Sequence, residues 1–214
     1  VYRVAVLAVI YYEPFWINTA RCLAEQPFEC FFADRQGVNG LPGAINAAFD
    51  RYDLASRYDF VWVVTDVQFK PHVPTGLAAT LYEDPTVAAV GPVFASDYVF
   101  CQPNPERPTR YQVPFVEFKA VMLRASVLRQ IKLDAGLPYW GYDADWGYRV
   151  GQEGWKILVD QRCSIDHVYM RHLPKGNATT ELRWQRMVEA TDATLQRLVQ
   201  KYGPNWRKRL YTNT

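Results

Sequence analysis

Residues 60–66 read FVWVVTD: five apolar residues in a row, a threonine, and then an abrupt acid. An apolar run with no polar alternation is what a strand covered on both faces requires. Two further stretches read the same way, Val4–Ile10 (VAVLAVI) and Val87–Val93 (VAAVGPV), and Cys30–Ala33 is a shorter one that ends at Asp34. Helical patterns lie between them. The first runs from Glu13-Pro14 to about Glu25, with Phe15, Ala20, Leu23 and Ala24 as its buried stripe. Pro14 suits a first helical turn, where its missing N–H has no partner to lose. The second runs from about Ala44 to Tyr52, with Ile45, Ala48, Phe49 and Tyr52 inward, and Leu77–Tyr82 is a third. Strands alternating with helices predict a single α/β domain with a mainly parallel central sheet and helices on both faces. Such sheets bind ligands beyond the carboxyl ends of their strands. Asp34 and Asp66 both stand there.

The second half is less regular. The proline-rich segment from Ala95 to Pro114 reads as a long loop, a class that is usually functional or mobile inside a compact domain. Glu117–Leu123 is expected as a strand and Ser126–Ile131 as a short helix. The segment WGYDADWGYRVGQEG (140–154) passes from loop to helix, and Lys156–Val159 is a further strand. A final amphipathic helix is expected over about Thr180–Tyr202. Its apolar stripe is Trp184, Met187, Val188, Thr191, Leu195, Leu198, Val199 and Tyr202, with Arg183, Arg186, Arg197 and Lys201 opposite.

The chain has 214 residues, 49% of them hydrophobic, which is enough for one full core. It contains no stretch of ~18 uninterrupted apolar residues, the length a transmembrane helix needs. The opening VYRVAVLAVI carries Arg3 and no small-residue cleavage site, so a buried strand is expected there rather than a signal peptide. Cys22, Cys30, Cys101 and Cys163 have no CxxC spacing. A zinc site or disulfide framework is not expected, and reduced thiols fit a cytoplasmic protein. Residues 1–170 hold 15 Lys and Arg against 19 Asp and Glu, while residues 171–214 hold 9 against 3. Such a basic tail is either a solvated face or a contact for an anionic partner.

Three places could carry chemistry. Asp66 could cap the next turn, or bind Mg²⁺ or Mn²⁺ beside a phosphate-bearing ligand. Asp143 and Asp145 lie among Trp140, Tyr142 and Trp146, with Arg149 a turn later. An acid among aromatics has its pKa raised, as a general base requires, whereas acids at a helix start also serve as caps. Asp145 is the one expected to cap. His167, in the strand-like SIDHVY, is a structural residue or a neutral imidazole completing a metal sphere. No G-x-S-x-G, P-loop or G-x-G-x-x-G is present, which leaves the common hydrolase, nucleotidase and dinucleotide readings without residues.

The order of these pieces is strand one, Asp34 ending strand two, Asn39-Gly40 to Asn46, Thr65-Asp66-Val67, VAAVGPV, a strand with Arg124, LDAGLPYWGYDADWGYRVGQEGWKILV, His167, and a closing helix with LVQKYG. Over residues 4–203 this resembles the inverting glycosyltransferases of family 2, particularly the rhamnosyltransferase-like members, with a GT-A fold. The resemblance implies transfer from a nucleoside-diphosphate sugar, UDP-sugars favoured, with Mn²⁺ or Mg²⁺. By position, Asp34 would contact the base, and Asn39, Gly40 and Asn46 would lie beside the nucleotide. Asp66 matches the last acid of the metal motif, Asp143 the catalytic base, and His167 the late histidine near the diphosphate, a second metal ligand. Arg149 is grouped with the donor-binding residues. Three positions depart from the pattern: Val64 stands where the motif's first acid or Asn belongs, Gln68 cannot replace a carboxylate in charge, and Tyr142 stands where an acid often precedes the base. The implied organisation is a donor-binding half to about residue 93, an acceptor and catalytic half over 94–179, and a basic helix over 180–214. The acceptor would be a glycan, a lipid-linked saccharide or a hydroxylated base in DNA, with peripheral contact to an anionic membrane surface through the tail. Two rivals remain at this point: a nucleotidyltransferase, disfavoured because YYEPFW replaces the Gly-rich loop after strand one, and a non-catalytic carbohydrate- or nucleic-acid-binding module.

Overall fold

A computed structural model describes residues 3–10, 13–34, 40–95, 98–167 and 191–212. Its strands are β1 (Val4–Ile10), β2 (Glu29–Asp34), β3 (Phe60–Val64), β4 (Val67–Phe69), β5 (Val87–Val93), β6 (Arg110–Gln112), β7 (Ala120–Arg124) and β8 (Lys156–His167). They form one sheet in the order β2-β1-β3-β7-β5-β8-β4, with β6 also paired to β8. β1, β2, β3, β5 and β8 point one way, and β4, β6 and β7 run against them. The sheet is thus mixed α/β and mainly parallel, as the buried runs predict.

Alternation along the strands divides the core into two layers. Val4, Val6 and Ala8 of β1 join Trp62, Val64 and Met122 on the face covered by α1 (Glu13–Ala24) and α4 (His72–Glu83). Ala5, Leu7 and Val9 join Val61, Val63 and Val121 on the other face. There α2 (Gly40–Arg51), α3 (Leu54–Arg57), α5 (Ala125–Gln130) and α6 (Tyr142–Gln152) pack, with α7 (residues 191–202) and α8 (Trp206–Tyr211) outside them. Both faces of FVWVV are therefore fully buried. At roughly 25 cal/mol per Å² of apolar surface, such central strands supply the dominant favourable contribution to folding.

Several boundaries differ from expectation for identifiable reasons. α2 begins at Gly40 rather than Ala44. Gly40 has φ +66°, and a Cβ there would lie 2.0 Å from the Pro138 carbonyl oxygen, so only glycine lets the helix start against that loop. Among the described side chains of α1, Thr19 and Leu23 are buried, whereas Ala24 is exposed and Ala20 half-buried. The side chains of Phe15 and Asp34 lie outside the described part. The expected loop from Ala95 to Pro114 contains a 3₁₀ turn at Val99–Cys101 and the strand β6. β6 forms because Arg110 is drawn to the wholly buried Asp160, at 3.2 Å, and to Glu83. Asp160 also accepts from Thr80 Oγ1 (2.7 Å) and Arg162 Nη2 (2.6 Å), and it marks the register break at which β8 leaves β5. Beyond the break β8 continues to His167 beside β4, so the two predicted strand pieces are one long strand. β7 starts at Ala120, three residues later than expected, which leaves Glu117–Lys119 out of the ladder. Of the predicted final helix, residues 180–190 fall outside the described part.

Candidate active site at the sheet edge

Asp66 occupies the turn between β3 and β4. Both flanks of that turn are held by Thr19, a fully buried side chain of α1. Its hydroxyl lies 2.8 Å from the Thr65 carbonyl and 2.9 Å from the Val67 carbonyl, and accepts the Val67 N–H at 3.0 Å. On the other side, the Thr65 N–H donates to the Lys119 carbonyl at 2.9 Å. Asp66 thus sits on a turn clamped from two directions.

The β4–β8 register places His167 opposite Val67, so its ring comes beside Asp66, with Nε2 at 3.8 Å from Oδ2. The distance is longer than a direct hydrogen bond. Burial pushes the Asp66 carboxyl upward, but the neighbouring imidazole, the Thr65 hydroxyl and its own backbone N–H outweigh that and hold it below the usual range. An ionised carboxylate and an imidazole converging within 3.8 Å are a donor pair that would hold a divalent cation. Mixed oxygen and nitrogen donors suit Mn²⁺ better than Mg²⁺. Among the described residues no third Asp, Glu, His or Cys joins them. Further ligands would come from water or a bound diphosphate, the usual arrangement for such ions. Val64 is fully buried between β1 and β7, and Gln68 is exposed on β4 opposite Asp166.

Asp143 is the second residue of α6. The helix opens at Gly141, with φ +79° and no side-chain cap, and the Asp143 carboxylate accepts the Ala144 N–H at 2.9 Å. Burial drives its pKa up to about 7, and the negative charge of Glu117 adds to this, against the backbone donors and Lys119. Glu117 is itself 8% exposed and pairs with Lys119, Nζ to Oε2 at 2.6 Å. The Lys119 ammonium lies 5.5 Å from the centroid of Phe94, and Phe94 lies edge-on to His167 at 6.5 Å. Lys119 therefore connects the two halves of the site. Its carbonyl holds the turn of Asp66, and its ammonium balances the acids around Asp143.

An aromatic wall stands beside Asp143. Tyr98 stacks on Phe100 at 5.6 Å and shares a hydrogen bond with Tyr211 of α8, and both phenols feel the Asp143 charge. The aromatics of WGYDADW serve differently from a set of open sugar platforms. Trp146 is buried and donates to the Ile131 carbonyl at 2.7 Å, Tyr142 packs against Phe118, and half-buried Trp140 lies beside Trp206.

Asp145 does not cap the helix. It is fully buried and accepts from Arg149 Nε at 2.9 Å, from Tyr202 at 2.6 Å and from Lys201, so it ties α6 to α7. Its own N–H is already used by the Gly141 carbonyl, and the side chain turns inward to meet these cations. Removing one partner of such a buried ionic group costs roughly 3–5 kcal/mol. Asp145→Ala is therefore expected to lower the melting temperature by roughly 10 °C in a thermal scan. An unchanged melting curve would show that α7 does not depend on this tie.

The other sequence candidates fall as follows. Arg149 is turned toward Asp145 and the Lys132 carbonyl, the latter at 2.8 Å. Asn46 exchanges two hydrogen bonds with the backbone of Leu133, at 2.8 and 3.2 Å. With Gly40 it docks the loop that leads into α6. Asp34 ends β2 opposite Ile10 at the same sheet edge as Asp66. Asn39 lies outside the described residues. Thr19, Glu117, Lys119, Tyr98 and Tyr211 were missed. Only Glu117 and Lys119 carried any signal, two charges ending a run of apolar residues.

The fold is the GT-A fold. The chain superposes on GalNAc-T7, crystallised with UDP, GalNAc and Mn²⁺, with a TM-score of 0.64 and 13% identity over 88% of this chain and 48% of that one. It also superposes on the mannosyltransferase PcManGT from Pyrobaculum calidifontis, in complex with GDP-Man and Mn²⁺, with a TM-score of 0.61 and 13% identity over 99% of this chain and 68% of that one. A third similar structure is A197 from STIV, with a TM-score of 0.54 and 11% identity over 78% and 86% of the two chains. The chain thus spans about half the length of GalNAc-T7. No family model and no curated protein matches the sequence. No described helix is long and apolar enough to cross a membrane.

Proposed function

We propose that this chain transfers a sugar from a nucleoside-diphosphate sugar to an acceptor hydroxyl, with inversion at the anomeric carbon. The observation that carries the reading is a pair of unlike acidic sites joined through Lys119, one in the β3–β4 turn and one at the start of α6. Asp66 is ionised beside His167, and Asp143 is buried with its proton affinity raised into the neutral range. The GT-A fold, whose two named transferase neighbours hold a sugar nucleotide or UDP with Mn²⁺, supports it.

Asp66 and His167 would hold the metal. When bound, that metal neutralises charge that builds on the departing diphosphate. Asp143 takes the proton of the acceptor hydroxyl as its oxygen bonds to the anomeric carbon, while the bond from that carbon to the diphosphate oxygen breaks. The nucleoside diphosphate leaves on the opposite side. Strands up to about residue 93 form the donor half, with Asp34 at its nucleotide edge. The segment from 94 onward supplies the acceptor side. A uridine or guanosine donor is consistent with the same frame, and UDP-sugars are the first to test.

The test is release of nucleoside diphosphate from a panel of UDP- and GDP-sugars with Mn²⁺, followed by assignment of the product anomer. Consumption of nucleoside triphosphate with a sugar phosphate, and no turnover of any sugar nucleotide, would instead identify a nucleotidyltransferase. A retained anomeric configuration would remove the single-displacement role of Asp143.

The pH dependence follows from the pair of acids. Asp143 must be ionised to act, so kcat/KM should rise with pH through about 7. Glu117→Gln removes the neighbouring negative charge and should move that limb down by about one pH unit, while Lys119→Met should move it up. Coincident limbs in the three proteins would mean that the group titrating in the profile is not Asp143.

A further inference from the structure

The basic C-terminal segment separates into two sets of cations with different fates. Arg197 and Lys201 of α7 are taken up internally: Arg197 pairs with Asp134 at 2.7 Å, and Lys201 with Asp134 at 2.9 Å and with Asp145. They are not available to a partner as the helical pattern implied. The cations of α8 are in a different position. Lys208 and Arg209 are exposed and have no acidic partner among the described residues. Together with Tyr148, Asn205 and Thr212 they line a surface cavity of about 400 Å³ between α6 and α8. Two cations, the Asn205 amide and the Tyr148 hydroxyl around one cavity form a donor set for an oxyanion, while the Thr212 hydroxyl donates to the Lys208 carbonyl and closes the end of α8. The same six-residue helix carries Tyr211, whose phenol joins Tyr98 beside Asp143.

We propose that the cavity lined by Lys208, Arg209, Asn205, Thr212 and Tyr148 binds a phosphoryl group of the acceptor, so that α8 selects acceptors carrying a phosphate near the hydroxyl to be glycosylated. The inference rests on the transferase reading and extends it to the acceptor. One cavity with two cations suits a single phosphate or diphosphate. A duplex backbone would need a row of cations. Arg207, the remaining cation of α8, lies over the Trp206 ring at 5.2 Å.

The test uses inorganic phosphate as the probe and the full chain, native and Lys208→Glu/Arg209→Glu. Phosphate is expected to shift the backbone amide resonances of Asn205, Lys208, Arg209 and Thr212 in the native protein and leave them unmoved in the variant. Native-like melting of the variant, or of the milder Lys208→Ala/Arg209→Ala, keeps the comparison valid. In the functional arm, donor hydrolysis by the variant should match the native protein, while KM for a phosphorylated sugar acceptor should rise at least tenfold and KM for its dephosphorylated form should not change. Vesicles of phosphatidylglycerol form a separate arm: retention by the native protein alone would assign the phosphate to a lipid headgroup, and no retention to a soluble or lipid-linked saccharide phosphate. Unmoved resonances, or equal KM in both proteins, would overturn the proposal. So would duplex DNA binding with a salt slope well above the ~0.9–1.8 that one or two phosphate contacts allow. Absence of any donor hydrolysis in the native protein would instead defeat the transferase reading and leave the phosphate titration standing as its own result.

Discussion

Replacing Asp143 by Asn is expected to lower turnover by roughly 10²-fold or more while donor affinity stays within a fewfold, because positioned general-base catalysis typically contributes 10²–10⁴. The amide keeps the shape of the carboxylate and can still accept the Ala144 N–H at 2.9 Å. What it loses is the ability to take a proton. The same substitution should stabilise the protein at alkaline pH. An aspartate has a pKa of about 3.9 in an unfolded chain and here is pushed up to about 7, so the folded state binds more protons between these values. Stability therefore falls as pH rises through that window, by roughly 4 kcal/mol once the carboxyl is fully ionised. Asn removes that penalty. A variant that is slower, yet melts higher than the native protein at pH 8 and no higher at pH 4, is the combination this site predicts. If Asp145→Asn is the crippling change and Asp143→Asn is mild, the roles of the two acids are reversed.

Replacing Asp66 by Ala is expected to abolish transfer and to remove the effect of Mn²⁺ on donor binding. With Asp66 gone, His167 is the only metal-binding side chain left of the pair. The fold should survive, because the turn is held by backbone groups, through Thr19 and Lys119, and not by the carboxylate. Thr19→Val provides the complementary perturbation. It keeps the volume, removes the hydroxyl, and should weaken the metal response partially by loosening the same turn. Each lost hydrogen bond at a buried site of this kind costs about 1–3 kcal/mol. Titrating Mn²⁺ against donor binding in the three proteins orders them native, Thr19→Val, Asp66→Ala.

The strands could be read from the sequence because burial on both faces leaves an uninterrupted apolar run, and FVWVV, VAVLAVI and VAAVGPV are all such runs. Asp66 and Asp143 stood out as candidates for a related reason: an acid that interrupts apolar or aromatic surroundings has few ways to be satisfied. β6 was hidden because its pairing depends on Arg110 meeting Asp160, fifty residues away, and proline spacing says nothing of that contact. Thr19 looks like any small helical residue. Its function exists only once α1 lies against the β3–β4 turn. Gly40 and Asn46 were singled out by resemblance, yet each meets a packing need visible only in three dimensions, at Pro138 and at Leu133. Arg197 and Lys201 were read as one basic face with the tail because helical periodicity cannot foresee that Asp134 and Asp145 fold back onto them.

The measurement that bears most directly on the account is release of nucleoside diphosphate from a sugar nucleotide by the native protein, in Mn²⁺ and again after chelation, with Asp66→Ala and Asp143→Asn run beside it. The account predicts turnover with Mn²⁺, its loss in chelator and in Asp66→Ala, and, in Asp143→Asn, retained donor binding with turnover reduced roughly 10²-fold. Equal rates in Mn²⁺ and chelator, or native rates in both variants, would contradict it.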